Sequence, residues 1–227
     1  MIVIHIFGTS NTGKTYLAET LCRQLASRGS VETIKHLGHH VFTLEEGKDT
    51  TVHFQSGASG STGIDSEKSV TILRIADLNP ALDAAANRGA DFCIVEGFKT
   101  APIPGVALGD VTGAEALLRD PTPEEILSNL SRFPIWTTPT RVLGNLLRNA
   151  GPEMIGALLI FDSISGEEIC RVEAAARTCP GVVGTTGSLL PDPDSSSGRK
   201  QRGCLAVAGR TATAVAAALQ KGAEEVG

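Results

Sequence analysis

A glycine-rich segment near the N-terminus limits which folds this chain can adopt. The segment follows the pattern GxxxxGK[ST] of a P-loop, which holds nucleotide phosphates between a strand and a helix. In such a loop the backbone N–H groups point into a concavity, the lysine reaches the β- and γ-phosphates, and the last hydroxyl ligates magnesium. The predicted phosphate-binding residues are Gly8, Thr9, Ser10, Asn11, Thr12, Gly13, Lys14 and Thr15.

The residues around the loop supply the strand and the helix that this motif requires. Residues 2–7, IVIHIF, are nearly all apolar and mostly β-branched, which indicates a strand buried on both faces of a parallel sheet. After Lys14, Leu17, Leu21 and Leu25 recur at helical spacing, and Gly29 marks the end of that helix. We therefore predict that the chain binds a nucleoside triphosphate together with Mg²⁺.

The following residues alternate between strand and helix patterns. Strands are predicted at residues 31–35, 70–75, 91–95, 106–108 and 134–137. One helix is predicted from Asn79 as N-cap, and a second from a capping box of Thr122 with Glu125, reaching Phe133. Residues 38–67 carry few helix signals and are predicted to be mobile. This order predicts an α/β fold of the P-loop NTPase type, with a mainly parallel sheet covered by helices.

The last third of the chain has a different pattern. Strands are predicted at residues 156–162 and 204–208, and helices at residues 167–177 and 211–226. Residues 191–202, PDPDSSSGRKQR, are too polar and turn-rich to pack into a core. We place a domain boundary near Gly151, which gives a P-loop domain of residues 1–150 and a small α/β C-terminal appendage of residues 151–227.

The composition argues against several classes of partner. A formal net charge of −5 and a pI near 5.6 supply no basic field, so neither nucleic acid nor an anionic membrane is an expected partner. No apolar run approaches the roughly 20 residues that cross a bilayer. The five cysteines form no CxxC pair, which favours reduced, mostly buried thiols and a cytoplasmic location.

A second candidate functional segment is DFCIVEGFK at residues 91–99, in which an apolar strand ends in Glu96. In a parallel sheet this carboxylate would lie beside the P-loop, at the carboxyl edge of the strands. There it would order the water molecules of magnesium or orient the attacking group. The alternative is a solvated acid in a βα-loop, since acidic residues are common at strand ends. Gly97 indicates a close approach of the backbone to a ligand.

A third candidate segment combines KHLGHH at residues 35–40 with GKDTT at residues 47–51. Its histidines resemble a zinc motif, but neither a cysteine nor a second cluster completes four ligands. Binding of an anionic substrate by Lys35 and the histidines is therefore favoured. Asp49 lies in the segment between two predicted strands where P-loop proteins often place a residue that senses magnesium.

The segments GTSNTGKT, ETIKHLGHHVF, GKDTTVHFQSGA and DFCIVEGFK, in this order, resemble the molybdopterin-guanine dinucleotide biosynthesis adapter family, MobB. The resemblance covers roughly residues 1–140. It implies GTP binding, weak GTPase activity, a homodimer, and partnership with molybdopterin guanylyltransferase, the nucleotidyltransferase that joins GMP to molybdopterin.

The same resemblance assigns roles to individual residues. Gly13, Lys14 and Thr15 would bind phosphate and magnesium. Asp49 and Glu96 would serve the metal and the attacking water, and are the predicted catalytic residues. The further predicted site residues are Lys35, His36 and Lys99. The predicted metal ligands are Thr15, Asp49 and Glu96.

The sequence also departs from the family pattern. Thr50 stands where the family usually has serine, which preserves the hydroxyl. An arginine often follows shortly afterwards, and here the nearest candidate is His53. Because no N/TKxD segment is present, the preference for guanine over adenine comes from the resemblance alone.

Two alternatives remain open on the sequence. The tail is faintly similar to the large (MoaE-type) subunit of molybdopterin synthase, and it is otherwise an appendage that caps the sheet or aids dimerisation. The competing function for the whole chain is an ATP-dependent ligase or kinase of a small acid. This alternative is similar to dethiobiotin synthetase, whose P-loop and strand ending in Glu-Gly look related.

Overall fold

The structure, a computed structural model, describes residues 1–38, 40–191 and 201–226. The strands are β1 (Ile2–Gly8), β2 (Val31–Lys35), β3 (Gly60–Ile64), β4 (Ser69–Leu73), β5 (Phe92–Glu96), β6 (Gly105–Leu108), β7 (Ala116–Arg119), β8 (Ile155–Ile164), β9 (Val182–Leu189) and β10 (Gln201–Gly209). The helices are α1 (Lys14–Leu25), α2 (Asp49–Gln55), α3 (Leu78–Asn87), α4 (Pro123–Ser128), α5 (Pro139–Ala150), α6 (Gly166–Arg177) and α7 (Ala212–Glu224).

Five parallel strands form the larger sheet, in the order β2-β5-β1-β6-β7. β1 lies at its centre. Its successive side chains point to opposite faces of the sheet, and those on both faces are buried. Ile4 packs with Leu21 and Leu25 of α1 on one face, whereas Val3 packs with Leu82 of α3 on the other. The predicted mainly parallel sheet covered by helices is confirmed.

The second sheet contains three antiparallel strands in the order β8-β10-β9. α6 and α7 pack on one of its faces around Val172, and α5 packs against the same three strands. Glycines allow α5 to come close: a Cβ at Gly156 would lie 2.8 Å from Leu143 Cδ1, and one at Gly184 would lie 2.9 Å from Leu146 Cδ1. The second sheet therefore packs around hydrophobic clusters of its own, one of which includes residues of α5.

α5 links the two sheets. Its Arg141 donates hydrogen bonds to the carbonyl oxygens of Ala86 and Ala90, at 3.0 and 2.7 Å. The predicted boundary near Gly151 falls at the C-terminal end of this helix. By sequence α5 thus belongs to the first predicted domain, although it packs on the second sheet. The division at Gly151 stays a prediction.

Residues 38–67 contain more regular structure than was predicted. α2 begins at Asp49, and β3 pairs with β4 as an antiparallel hairpin that forms a sheet of its own. Thr62 faces Thr71 in this hairpin, and their hydroxyl oxygens lie 3.1 Å apart. The strand predicted at residues 70–75 is thus a hairpin strand and does not join the parallel sheet.

Three further predictions about local structure are wrong. The N-cap of α3 is Asp77, whose side chain accepts a hydrogen bond from the backbone N–H of Asn79. Residues 134–137 form no strand and make only an isolated bridge between Ile2 and Ile135, because the segment starts with a proline that has no N–H to donate. The helix opened by the predicted capping box ends at Ser128, and a short 3-10 helix (Leu130–Arg132) follows. β7, β9 and α5 were not predicted.

Three predictions remain, on the cysteines, on the polar stretch before β10 and on membrane-spanning segments. Cys93 and Cys204 are buried, but Cys170 is exposed, so the thiols are only partly protected. His39 and most of the polar stretch at residues 191–202 lie outside the described residues. Within the described part of the chain, every helix is too short or too polar to cross a membrane.

Candidate functional site

The P-loop connects β1 to α1, and its backbone conformation requires glycine at two positions. A Cβ at Gly8 would lie 2.4 Å from the carbonyl oxygen of Leu108, closer than any side chain tolerates. Gly13 has a φ of +82° and forms the N-cap of α1, in the left-handed region that favours glycine. Among the described residues no side chain caps this helix. Its first N–H groups and the positive end of its dipole are therefore available to an anion.

The loop forms one wall of a cavity of about 520 Å³ at the carboxyl edge of the larger sheet. The other walls come from the start of α1, from the end of β2 with the residues after it, and from the end of β5. The lining residues are Ser10, Asn11, Thr12, Gly13, Lys14, Thr15, Tyr16, Lys35, His36, Leu37, His40 and Glu96. Two lysines and the N-terminus of α1 make this cavity suitable for a polyanion.

Three predicted site residues meet at one point of this cavity. Thr15 Oγ1 donates a hydrogen bond to Glu96 Oε1 across 2.8 Å. The ammonium of Lys35 lies 3.1 Å from both of these oxygens. The parallel register pairs Lys35 directly with Glu96, so the two side chains emerge on the same side of the sheet. Glu96 is 12% exposed and Lys35 is 49% exposed.

The two oxygens fit a magnesium ion. Hydroxyl and carboxylate oxygens are the hard ligands that magnesium prefers, and it holds them at about 2.0–2.1 Å in octahedral geometry. Adjacent ligands of such an octahedron are about 2.9 Å apart, close to the 2.8 Å between Thr15 Oγ1 and Glu96 Oε1. The residues that the structure describes contain no cluster of three His, Cys, Asp or Glu side chains that suits a protein-enclosed metal.

Lys14 lies within the P-loop itself. Its ammonium donates a hydrogen bond to the carbonyl oxygen of Thr9, which also accepts a hydrogen bond from the hydroxyl of Thr12 at 2.9 Å. Both residues are partly exposed to solvent. Lys14 therefore needs only a rotation about its flexible stem to reach a phosphate in the adjoining cavity.

His36, the residue after β2, packs against the turn that follows Glu96 at the end of β5. A Cβ at Gly97 would lie 2.8 Å from His36 Cβ, and Gly97 has a φ of +97°. The next residue, Phe98, stacks on the His36 ring, with ring centroids 4.6 Å apart. We predicted that Gly97 lets the backbone approach a ligand. In the structure its close neighbour is His36 of the same chain.

His5 contacts the backbone of this turn. His5 was not predicted to be a site residue. It is fully buried in β1. Its Nδ1 lies 2.8 Å from the carbonyl oxygen of Ile103, and its Nε2 lies 2.7 Å from that of Gly97. The available signal was a single polar residue within the apolar run IVIHIF. Its imidazole ties the strand that enters the P-loop to both ends of the loop after Glu96.

Not every predicted site residue lies at the cavity. Four of them are not among its described lining residues: Gly8 and Thr9, at the start of the P-loop, Asp49, the first residue of α2, and Lys99, in the loop after β5. The carbonyl of Lys99 accepts a hydrogen bond from the backbone N–H of Ala114 at 2.9 Å. Their roles stay predictions. Conversely, Tyr16 and Leu37 line the cavity and were not predicted, although each directly follows a predicted site residue.

Comparison with known proteins gives matches that include the segments at this cavity. A family model described as MobB, molybdopterin guanine dinucleotide synthesis protein B, matches residues 3–127. The crystal structure of Bacillus subtilis MobB is 20% identical, covers 59% of this chain and 99% of its own, and has a TM-score of 0.47. The MobB homolog from Bacillus stearothermophilus is 23% identical, covers 59% of this chain and 72% of its own, and has a TM-score of 0.36. No curated protein matches the chain.

The matched residues include every segment that forms the cavity: the P-loop, the end of β2 with His36, and the end of β5 with Glu96. They also make up more than half of the 227 residues. The chain therefore belongs to the MobB family of molybdopterin guanine dinucleotide synthesis proteins.

Proposed function

We propose that this molybdopterin guanine dinucleotide synthesis protein is a GTP-binding adapter that hydrolyses GTP only weakly. The observation that carries the proposal is the convergence of the P-loop with the Thr15–Glu96 pair at one cavity. The size and positive groups of this cavity suit a nucleoside triphosphate. The guanine preference follows from family membership.

In this proposal each group of residues at the cavity has its own role. The loop from Gly8 to Gly13 and the first turn of α1 hold the phosphates through backbone N–H groups, and Lys14 turns from Thr9 to the β- and γ-phosphates. Thr15 and Glu96 would hold magnesium. Bound magnesium would neutralise charge on the phosphate oxygens. Glu96 also orients the attacking water.

Weak hydrolysis is consistent with the side chains at the cavity. Fast P-loop hydrolases place an arginine on the charge that develops in the transition state. The described residues that line the cavity include no arginine. Binding and release of GTP, rather than rapid turnover, would therefore be the main property of this protein on its own.

Two of the proposed site residues rest on the family pattern. Asp49, in the GKD segment, is proposed to sense magnesium, and Lys99 is proposed to join the site when nucleotide is bound. Along the chain, Asp49 comes nine residues after His40, which lines the cavity, and Lys99 directly follows Phe98, which stacks on the lining residue His36.

Titration of the full-length protein with GTP and with ATP, each with magnesium, tests the proposal. We expect GTP to bind more tightly than ATP and to be hydrolysed slowly. Binding of ATP alone, with rapid turnover when a small carboxylic acid is added, would instead identify the ligase or kinase that the sequence left open.

We further propose that the protein forms a homodimer. Support comes from apolar side chains that remain exposed in the hairpin and before α2, among them Val41 at 88% and Ile64 at 81% exposed. Large exposed apolar patches mark interaction surfaces, and we propose that a second copy covers these side chains. Ile64→Lys should shift the solution mass toward the monomer, whereas Ile135→Lys, at an exposed isoleucine elsewhere, should not. Equal solution masses for both variants and the wild type would contradict this interface.

The proposed partner in the pathway is molybdopterin guanylyltransferase, and the proposed location is the cytoplasm. If the protein presents GTP to this enzyme, the two should co-elute more strongly with GTP and magnesium than without them. Lys14→Ala should lose this dependence on nucleotide. Co-elution that is the same with and without GTP would contradict a nucleotide-dependent adapter.

A further inference from the structure

The ammonium of Lys35 lies against the two oxygens that suit magnesium. It is 3.1 Å from Thr15 Oγ1 and 3.1 Å from Glu96 Oε1, while these oxygens are hydrogen-bonded to each other. The arrangement is built into the sheet, because the register of β2 on β5 pairs Lys35 with Glu96. Lys35 thus supplies the positive charge that partly balances the poorly exposed carboxylate.

The ammonium and a magnesium ion cannot share these oxygens. Magnesium requires direct contacts of about 2.0–2.1 Å and a full octahedral shell, in which an ammonium has no place. Two positive charges within a few ångströms also repel each other, most strongly where solvent is partly excluded. Magnesium therefore has to displace the Lys35 ammonium before it can contact Thr15 and Glu96.

Lys35 has a route away from this position. Its side chain is half exposed, and its long stem can swing without disturbing the backbone. It lines the same cavity as Lys14 and the P-loop, so a triphosphate bound there would offer it a new anionic partner. Displacement is costly when no phosphate is present and favourable when one is.

We propose that Lys35 is a tethered cation that competes with magnesium for Thr15 and Glu96 and transfers to the triphosphate when nucleotide binds. Magnesium and nucleotide then bind cooperatively, because each favours the position of Lys35 that the other needs. Magnesium alone binds poorly to the protein. This inference rests on the proposed function, since it takes a triphosphate as the ligand of the cavity.

The competition is tested on full-length, nucleotide-free protein with Mn²⁺, which prefers the same octahedral oxygen ligands as magnesium and is counted by electron paramagnetic resonance. Lys35→Met removes the charge and keeps an unbranched side chain. We expect it to bind Mn²⁺ about tenfold more tightly than the wild type, within the usual range of coupling between sites. The matched control, Lys35→Arg, keeps the charge and should bind as weakly as the wild type.

A second substitution locates the effect. Glu96→Gln in the Lys35→Met protein should abolish the gain in Mn²⁺ affinity, because the amide removes the negatively charged ligand. Circular dichroism establishes that each variant is folded. Equal Mn²⁺ affinity for the wild type and a folded Lys35→Met protein would overturn the proposal, as would a gain that survives Glu96→Gln.

The cooperative part has its own measurement. The ratio of GTP affinities with magnesium and with a chelator should be larger for the wild type than for Lys35→Met by a similar factor of about ten. An unchanged ratio would refute the transfer of Lys35 to phosphate. If the wild type bound no GTP at all, the proposed function would fail, whereas the Mn²⁺ comparison would still decide whether Lys35 competes with the metal.

Discussion

His5 Nε2 lies 2.7 Å from the carbonyl oxygen of Gly97, which joins the strand entering the P-loop to the turn that follows Glu96. The other ring nitrogen lies 2.8 Å from the carbonyl oxygen of Ile103. A fully buried side chain of β1 therefore holds the loop that carries Phe98 against His36. The geometry of the site depends on a residue that does not line the cavity.

Replacing this imidazole should cost stability. His5→Leu leaves two carbonyl oxygens facing an apolar side chain, and we expect a loss of about 2–4 kcal/mol in the free energy of unfolding. Ile6→Val, at a neighbouring buried position of β1, is the control and should cost only about 0.5–1.5 kcal/mol. Urea unfolding measures both. A His5→Leu protein as stable as the wild type would show that the His5 side chain does not hold the loop.

Lys14→Ala should strongly weaken triphosphate binding and leave the fold intact. The side chain is partly exposed and donates its hydrogen bond within its own loop, to Thr9, so the folded state loses little. Removal of a charged contact to phosphate should weaken GTP binding by about 100-fold. Lys68→Ala, at an exposed lysine paired with Asp65, is the control. Unchanged GTP affinity by calorimetry, with an unchanged circular dichroism spectrum, would rule out the P-loop assignment.

Glu96→Gln should slow GTP hydrolysis more than it weakens GTP binding. The amide keeps the shape of the side chain, but it holds magnesium and orients water less well than the carboxylate. Single-turnover hydrolysis and calorimetry give the two quantities separately. Glu19→Gln, on the exposed surface of α1, should change neither. Equal losses in hydrolysis and in binding would indicate a structural role for Glu96.

A shortened chain that ends after Ala150 should still bind GTP, because all proposed site residues lie between Gly8 and Lys99. It should also self-associate or lose stability, since α5 keeps apolar side chains that pack on the missing strands, such as Leu143 and Leu146. Ending the chain after Thr138 removes this helix and should reduce the association.

Calorimetry and light scattering on both shortened chains check these expectations. A folded chain ending after Ala150 that no longer bound GTP would show that the C-terminal part completes the nucleotide site. The boundary near Gly151 would then be wrong.

The cysteines should differ in their reactivity toward a thiol reagent at pH 8. Burial raises the pKa of Cys93 to about 12 and that of Cys204 to about 11, and only the thiolate reacts. Because both pKa values lie well above pH 8, these thiols stay protonated in the folded protein. Exposed Cys170 should react first. Mass spectrometry of the labelled peptides identifies each site, and native labelling of Cys93 as fast as that of Cys170 would contradict this order.

Much of the nucleotide site could be predicted because its signals are local. The spacing of Gly8, Gly13, Lys14 and Thr15 lies within one loop, and backbone conformation and helix polarity act over that same distance. The apolar run that ends in Glu96 indicated a buried strand with an acid at its carboxyl end, and both were confirmed. Alternating strand and helix patterns predicted the parallel sheet for the same reason.

Local sequence was sufficient to predict the P-loop, the alternation of elements and the carboxylate at the end of β5, because each depends on residues close together in the chain. Three features could be seen only in the folded chain: Lys35 pairs with Glu96, His5 bridges Gly97 and Ile103, and α5 packs on the second sheet. Strand register and helix packing depend on the burial of whole faces and on partners such as Thr15 and Glu96, which are 81 positions apart. A local sequence pattern does not specify which distant side chain a residue will contact in the folded protein.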